Sequence, residues 1–245
     1  MADFIVRSVH NILKEYDDYY HLIEFNESRL FVTSKNVFRR SSKQIDLKSY
    51  IPKESSLLRT KSVVKDLVLC NDFELFCTFT FNPQRVDSFN LSLVWRVLSN
   101  WLKSQKKESK KIGLDFKYLV IPEKHKSGRF HFHGLLSGYS GVLRDSGKIS
   151  STGRIIYNIS SYRSGFTTAV QIDSKEAVSN YITKYITKDF ITDFNQRRFF
   201  ASRNLARPSK CINSTKMNDV LPIFKKVIRS DDFCVESIID KHFLI

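Results

Sequence analysis

Short runs of aromatic and β-branched residues alternate with two helical stripes between residues 73 and 201, and this order restricts the fold strongly. The run 73–81 stops at an Asn-Pro pair, which is typical of a buried strand closed by a turn. Five further runs predict strands, at 116–125, 130–137, 154–159, 166–172 and 198–201. The sequence therefore predicts an α+β sandwich, a central antiparallel β-sheet with helices packed on one of its faces.

Two stretches in this region show apolar residues at helical spacing. The first can be capped by Asp87 or Ser88 and ends in the lysine-rich segment 106–111, whose cations suit a helix C-terminus. The second follows Asp173, with Glu176 three residues later as a capping-box partner. Both stretches are predicted to be amphipathic helices that pack on the sheet.

The flanking residues show weaker patterns. Residues 18–35 predict a hairpin that turns near Asn26-Glu27-Ser28, and residues 55–69 carry a helical stripe. Changes in pattern predict three parts: an N-terminal extension over 1–70 (hairpin and helix), a domain over 71–205 and a C-terminal extension over 206–245.

Charge and cysteine content narrow the class of protein. Forty Lys and Arg against 25 Asp and Glu give a formal net charge of +15, which favours a polyanionic partner. Cys70, Cys77, Cys211 and Cys234 lie far apart without a Cys-x-x-Cys pair, so we expect ordinary reduced thiols. Because the sequence shows neither a signal peptide nor a long apolar run, we expect a cytoplasmic protein.

Glu123, His131 and His133 form a candidate metal site. Residues two apart in a strand point to the same side, so the two imidazoles share a face. With a loop at 127–129, Glu123 would lie opposite His133 and His125 opposite His131, which brings all four side chains together. Two imidazoles and a carboxylate suit a divalent cation, with His125 as a fourth ligand or a neighbour. The alternative is a pair of surface histidines on a solvated sheet face.

A doubled Tyr-x-x-Lys pattern lies on the second predicted helix. It places Tyr181 and Tyr185 on one helix face, and Lys184 and Lys188 on an adjoining face. A phenol with a pKa of about 10 is a poor nucleophile, so a catalytic tyrosine needs a nearby cation. The alternative is an amphipathic helix whose tyrosines pack on the sheet while its lysines stay in water.

These motifs together resemble a known family. The segment 76–83 (FCTFTFNP), then His131-Phe-His133, then 181–188 (YITKYITK) are similar in order to motifs one, two and three of the HUH replication initiators. The nearest pattern is that of the Rep proteins of small single-stranded DNA phages and rolling-circle plasmids. The resemblance covers about residues 70–205 and includes 198–208 (RFFASRNLARP).

The resemblance implies an HUH/RRM-like, ferredoxin-type sandwich in which a tyrosine attacks a phosphodiester of single-stranded DNA. Attack leaves a 5′-phosphotyrosine link and a free 3′-hydroxyl, and the link later permits strand rejoining. Glu123, His131 and His133 would hold Mg²⁺ or Mn²⁺. Tyr181 and Tyr185 would be the nucleophiles, with Lys184 and Lys188 near the phosphate. We assign further DNA contacts to Thr78, Thr80, Arg129, Arg197, Arg198 and Arg203.

Other partners follow from what the sequence lacks. The segment 141–149 does not fit the P-loop spacing, and no helicase pattern is present, so a host helicase and polymerase are expected partners in a bacterial cell. Two other functions stay open. One is an HUH single-strand transposase, since the order of motifs disfavours only the relaxases. The other is a non-catalytic, RRM-like nucleic-acid-binding protein whose aromatic strand stacks on bases.

Overall fold

The computed structural model of the protein describes residues 4–16, 19–34, 54–186, 197–208, 210–214, 226–230 and 234–240. The chain divides into two compact units, one formed by residues 1–44 with 207–245 and the other by residues 45–206. The boundaries expected from the sequence, after residues 70 and 205, stay a prediction.

The strands and helices follow one another in this order: β1 Phe4–Glu15, β2 Tyr19–Ser34, α1 Glu54–Leu69, β3 Leu75–Phe79, α2 Leu91–Lys111, β4 Lys117–Lys124, β5 Phe130–Ser137, β6 Leu143–Ile149, β7 Ile155–Ile159, β8 Thr167–Gln171, α3 Lys175–Ile182, β9 Phe200–Ala201, β10 Lys210–Ser214, β11 Lys226–Ser230 and β12 Cys234–Asp240. A 3₁₀ turn, Thr183–Tyr185, follows α3 directly. No helix among the described residues is long and apolar enough to cross a membrane.

The smaller unit is an antiparallel sheet in the order β10-β1-β2-β12-β11. The hairpin predicted near Asn26-Glu27-Ser28 is wrong, because β2 runs through these residues as one strand. Its two halves pair with the same neighbour, Val9 opposite Arg29 and Asn11 opposite Glu24, with a bulge between them. Continuous pairing with a long neighbour satisfies the backbone groups of both halves, so no chain reversal is needed.

The larger unit is built on an antiparallel sheet in the order β6-β7-β8-β3-β5-β4-β9. Strand β3 lies between β5 and β8 and pairs antiparallel with both. This sheet and its helices confirm the predicted α+β class. The polar strand β6 was not predicted, because its exposed residues (LRDSGKI) lack an apolar alternation; it lies at a sheet edge and carries a bulge.

Helices cover both faces of this sheet, so the expectation that they share one face is wrong. Helix α2 packs Leu98 and Trp101 against Phe79 and Phe132 on one face, which we call the aromatic face. The other face, which we call the histidine face, carries β4 and β5 residues such as Leu119, Ile121 and Leu135, packed against α1 and α3. A helical stripe tells which side of the helix is buried but not which side of a sheet receives it.

Helix α2 begins three residues later than the predicted caps allow. Asn90 is its N-cap, and the Asn90 side chain accepts a hydrogen bond from the Leu93 amide at 3.2 Å. Asp87 instead accepts from the amide of Phe89, at 3.0 Å, in the turn that precedes the helix. The amide and carboxylate side chains divide the work of closing this turn and starting the helix.

Helix α3 is capped by Ser174 rather than by Asp173. The Ser174 hydroxyl oxygen accepts from the Ala177 amide at 3.1 Å and donates to the carboxylate of Glu176 at 2.9 Å. Asp173 forms an ion pair with Arg154 instead. Two neighbouring residues could cap this helix, and the ion pair decides between them.

Two of the four cysteines fall within the side chains that the structure describes. Cys70 is partly exposed, Cys77 is buried, and both are free thiols, as expected. The side chains of Cys211 and Cys234 lie outside the described set.

Candidate metal centre and tyrosine pair

The hairpin of β4 and β5 carries the predicted metal ligands with a register that differs from the expected one. Glu123 lies opposite His131, and Ile121 lies opposite His133. The predicted pairs, Glu123 with His133 and His125 with His131, are therefore wrong by two residues. Because side chains alternate with a period of two, this shift leaves Glu123, His131 and His133 on the same face.

A longer loop causes the shift. The loop spans residues 125–129, where the amide of His125 donates to the Arg129 carbonyl at 2.8 Å and the Gly128 amide donates to the His125 carbonyl at 2.7 Å. Gly128 has a φ of +83°, a conformation that favours glycine. His125 thus belongs to the loop, and its Nδ1 lies 3.1 Å from the hydroxyl of Ser127.

Glu123, His131 and His133 converge on one point. The Nε2 atoms of His131 and His133 lie 2.6 and 2.7 Å from the same carboxylate oxygen, Oε2 of Glu123. The candidate ligand atoms of the three residues all lie within 4.8 Å of one another. Two imidazole nitrogens and a carboxylate oxygen are a donor set that divalent cations accept. We call these residues the Glu/His₂ cluster; it could bind a divalent metal ion, and His125 is not part of it.

Burial and mutual contact set the protonation of the cluster. Burial lowers the pKa of His133 to about 4, although the Glu123 hydrogen bond acts to raise it. For Glu123, burial acts to raise the pKa, but the hydrogen bonds and charges of His133 and His131 outweigh it and lower the pKa below its usual value. The site therefore favours a neutral imidazole and an ionised carboxylate, the forms that bind metals.

Strand β3 orients the more buried imidazole from behind. Thr78 pairs with His133 across the sheet, and the Thr78 hydroxyl lies 3.3 Å from Nδ1 of His133. Nε2 of the same ring is thereby directed at Glu123. The ring of Phe76, two residues earlier on β3, stacks at 5.9 Å from the His133 ring. Hydrogen bonds to the far nitrogen of an imidazole commonly orient metal ligands.

The two predicted tyrosines lie against this cluster. The Tyr185 ring stacks on the His133 ring with centroids 3.6 Å apart, and the Tyr185 hydroxyl donates to the Tyr181 hydroxyl at 2.9 Å. Tyr181 is 45% exposed and meets Phe76 edge-on. The predicted continuous helix is wrong at this point, because α3 ends at Ile182 and Tyr185 lies in the 3₁₀ turn. That tighter turn still leaves the two hydroxyls in contact.

Electrostatics keep one of these phenols protonated. Burial raises the pKa of Tyr185 above its usual range, and the Tyr181 hydroxyl and the Glu123 carboxylate raise it further. A positive charge close by would oppose this effect. Lys184 is exposed, and its Nζ lies 5.4 Å from the Tyr181 ring centroid. Lys188 lies outside the described residues.

The residues predicted to contact DNA are distributed around the cluster, and their role stays a prediction. Thr78 lies at the cluster, while the Thr80 hydroxyl donates to the carbonyl of Phe166 at 2.8 Å. The Arg129 guanidinium lies 5.0 Å from the ring centroid of Phe89, beside the hairpin loop.

The three other arginines differ in their surroundings. Arg197 and Arg203 are exposed. Arg198 is partly buried and donates from Nη1 to the carbonyl and hydroxyl of Ser56, at 2.7 and 3.0 Å, and to the Thr60 hydroxyl at 2.8 Å. Its guanidinium therefore fastens α1 to the segment that leads into β9.

Sequence reasoning missed the part that Phe76 and Thr78 play in supporting His133. Phe76 packs between the rings of His133 and Tyr181. A signal was present, because Phe76, Thr78 and Thr80 alternate along a strand and must share a face. The sequence did not show that this face is the one that carries the histidines.

The fold and the site together define an α+β protein with a candidate divalent-metal centre and a tyrosine pair on one sheet face. Residues 74–190 match a family model of replication-associated proteins, the ORF2 type, which confirms the resemblance to the Rep initiators. The matched segment includes the Glu/His₂ cluster and both tyrosines. Comparison with curated proteins and with solved structures gave no match.

Proposed function

We propose that the protein initiates rolling-circle replication by nicking single-stranded origin DNA with a tyrosine nucleophile. One observation carries the proposal: the Tyr185 ring stacks on His133, a member of the Glu/His₂ cluster, and its hydroxyl contacts that of Tyr181. A nucleophile and a metal site must reach the same phosphate for such chemistry, and this contact brings their side chains together. The family match of residues 74–190 supports a role in replication.

Glu123, His131 and His133 would hold the metal ion, Mg²⁺ or Mn²⁺. A cation bound there would polarise the scissile phosphate and offset its developing negative charge. The chain supplies the rest of the site: Thr78 orients His133, and Lys184 adds a positive charge near the tyrosine pair. We assign Lys188 the same electrostatic role.

In the proposed step, a phenolic oxygen of Tyr181 or Tyr185 attacks the phosphorus atom. A tyrosine O–P bond forms as the bond between phosphorus and the 3′ oxygen breaks. The phenol loses its proton and the departing 3′ oxygen gains one, so a 3′-hydroxyl and a 5′-phosphotyrosine result. The reverse attack by a 3′-hydroxyl rejoins the strand. Since the two hydroxyls lie 2.9 Å apart, the tyrosines could serve successive cleavage and rejoining rounds.

The proposed products define the partners. A free 3′-hydroxyl is a primer, which a host polymerase would extend, and a host helicase would separate the strands. The formal charge of +15 suits association with single-stranded DNA in a bacterial cytoplasm. Contacts from Thr80, Arg129, Arg197 and Arg203 would position the strand.

Covalent trapping tests the proposal. Single-stranded DNA from the protein's own replicon is incubated with Mn²⁺ and wild type, Tyr181→Phe, Tyr185→Phe or the double variant. We expect the double variant to form no protein–DNA adduct while it still binds Mn²⁺, because only the phenolic oxygens are removed. Mass spectrometry of wild-type adducts should locate the phosphate on Tyr181 or Tyr185.

A matched control separates nucleophile loss from general disturbance. Tyr157→Phe removes a hydroxyl from a partly buried tyrosine that packs on the aromatic core and should leave adduct formation unchanged. An undiminished adduct in the double variant would remove the nucleophile assignment. If the wild type forms no adduct with Mn²⁺ but binds the strand, the non-catalytic alternative is favoured instead.

A further inference from the structure

A cavity of about 430 Å³ opens beyond the end of β3, away from the residues used so far in the proposed reaction. Its walls are the segments 80–85 and 163–166, two loops that are distant in sequence. The volume lies within the range of about 300–1,000 Å³ that ligand pockets occupy. We call this cavity the Phe166 pocket.

Backbone contacts hold the two walls of the Phe166 pocket together. The Thr80 amide and hydroxyl both donate to the Phe166 carbonyl, at 2.9 and 2.8 Å, and the Phe166 amide donates back to the Thr80 hydroxyl at 3.2 Å. A Cβ at Gly165 would collide with the backbone of Thr80 and Phe81, so only glycine permits this approach. Arg85 donates from Nη1 to the Arg163 carbonyl at 2.8 Å. The pocket is thus fixed before any ligand binds.

The side chains of the Phe166 pocket have the chemistry that suits a nucleotide. The ring of Phe166 is 56% exposed although its backbone is fully hydrogen-bonded to Thr80. Arg85 and Arg163 are exposed at the same cavity, and none of the described residues that line it is acidic. An exposed ring offers a base a stacking surface, and the guanidinium groups offer its phosphate a counter-charge.

The position of the Phe166 pocket relates it to the Glu/His₂ cluster. Thr78 lies opposite Thr168, so the antiparallel register continues to Thr80 opposite Phe166. Residues directly opposite share a face, and Thr78 contacts His133, so Phe166 lies on the histidine face. Two residues along a strand span about 6.6 Å, which is close to the separation of neighbouring nucleotides in an extended strand.

We propose that the Phe166 pocket holds one unstacked nucleotide of single-stranded DNA, next to the strand segment at the cluster. Its base stacks on Phe166, while Arg163 contacts a backbone phosphate and Arg85 contributes charge and braces the loop. The choice of DNA as ligand rests on the proposed function. Base stacking is tolerant of sequence, so the pocket positions the strand rather than reading its sequence.

Binding without chemistry tests the pocket. Fluorescence anisotropy in EDTA compares two labelled strands of about 16 nucleotides, oligothymidylate and a fully abasic strand with the same phosphates. Phe166→Ala should weaken oligothymidylate binding about 5- to 150-fold, because one stacked base is lost. Its affinity for the abasic strand should equal that of wild type. Phe166→Trp, which keeps a ring, should retain oligothymidylate affinity.

The arginine is tested through its salt dependence. Arg163→Ala keeps the backbone carbonyl that Arg85 binds, so the loop stays braced. It should weaken binding of both strands, and the slope of log affinity against log salt should fall by about one. Ile112→Ala, at an exposed position after α2, serves as a control that should bind both strands as wild type does.

The outcomes separate this proposal from the proposed function. Phe166→Ala binding oligothymidylate as tightly as wild type, or losing equal affinity for both strands, would overturn the Phe166 pocket even if the protein forms a tyrosine adduct. A base-specific loss in a protein that never forms an adduct would keep the pocket and overturn the nicking step. Melting temperatures of the variants, measured alongside, identify any that fail to fold.

Discussion

The two faces of the larger sheet differ in what they are made of, although the same strands form both. On the aromatic face, Phe79, Phe132 and Trp101 pack together with little exposure. On the histidine face, strand β5 presents His131 and His133 beside a hydroxyl and two phenols. Alternation along a strand thus assigns stability to one side and chemistry to the other.

The difference also lies in how each face satisfies its polar groups. On the aromatic face, Trp101 is the main polar ring, and its Nε1 donates to the Ser161 hydroxyl at 3.1 Å. On the histidine face, His133 is only 7% exposed and is held by Thr78 and Glu123. Buried polar groups without partners are costly, so each imidazole requires neighbours that a phenylalanine does not. The chemistry-bearing face is therefore the more specified of the two.

The largest effect should come from neighbouring substitutions on β5 that separate the faces. Phe132→Ala should lower the free energy of unfolding by about 3–5 kcal/mol, because it empties a packed core. His131→Ala should lower it by about 1 kcal/mol or less, since it removes one partly exposed hydrogen bond. Urea denaturation of both variants gives the comparison, and Mn²⁺ titration should show binding lost only in His131→Ala.

Equal losses of stability in Phe132→Ala and His131→Ala would break the comparison. Retained Mn²⁺ affinity in His131→Ala would remove that histidine from the cluster.

A smaller effect should follow from removing the support behind His133. Thr78→Val deletes the hydroxyl that lies 3.3 Å from Nδ1 while keeping the side chain's shape. Loss of such a partner should lower Mn²⁺ affinity about 10- to 100-fold, measured by calorimetric titration. Thr168→Val, directly opposite on β8, is the matched control and should bind as wild type does. An unchanged affinity in Thr78→Val would show that the ring is oriented by packing alone.

The smallest effect concerns alkaline pH and the aromatic face. Burial raises the pKa of Cys77 well above its ordinary value of 9.0, so the folded protein keeps a proton that the unfolded chain releases. Since the folded state then binds more protons, the free energy of unfolding falls as pH rises above that value. The contribution of one such thiol is up to about 1.4 kcal/mol per pH unit.

Denaturation at several alkaline pH values checks this. In Cys77→Ala the decline should be shallower by that amount, whereas a slope equal to that of wild type would show that the thiol ionises in the folded state.

Much of the larger unit was predictable because its strands and helices follow simple periods. The positions of β3, β4, β5, β7, β8 and β9 agree with their aromatic and β-branched runs. The shared face of Glu123, His131 and His133 was also predictable, since a register error of two residues does not change the face. A register error of one residue would have separated the ligands.

What the sequence could not supply depends on contacts between distant segments. The loop at 125–129 is longer than expected because backbone hydrogen bonds across it outweigh continued pairing. Ser174 caps α3 because Asp173 pairs with Arg154, nineteen positions earlier in the chain. Strand β2 continues past Asn26 because β1 lies beside it. None of these partners is visible in a local pattern.

One oxygen of Glu123 holds both imidazoles of the cluster, and this arrangement has a consequence for ion exchange. The three side chains keep one another in place through their own hydrogen bonds, so folding itself meets the entropic cost of gathering them. A cation would then compete with protons on nitrogen instead of having to organise a loose segment. Occupancy should follow the acidity of the surroundings, and the ion could leave and return without the domain unravelling.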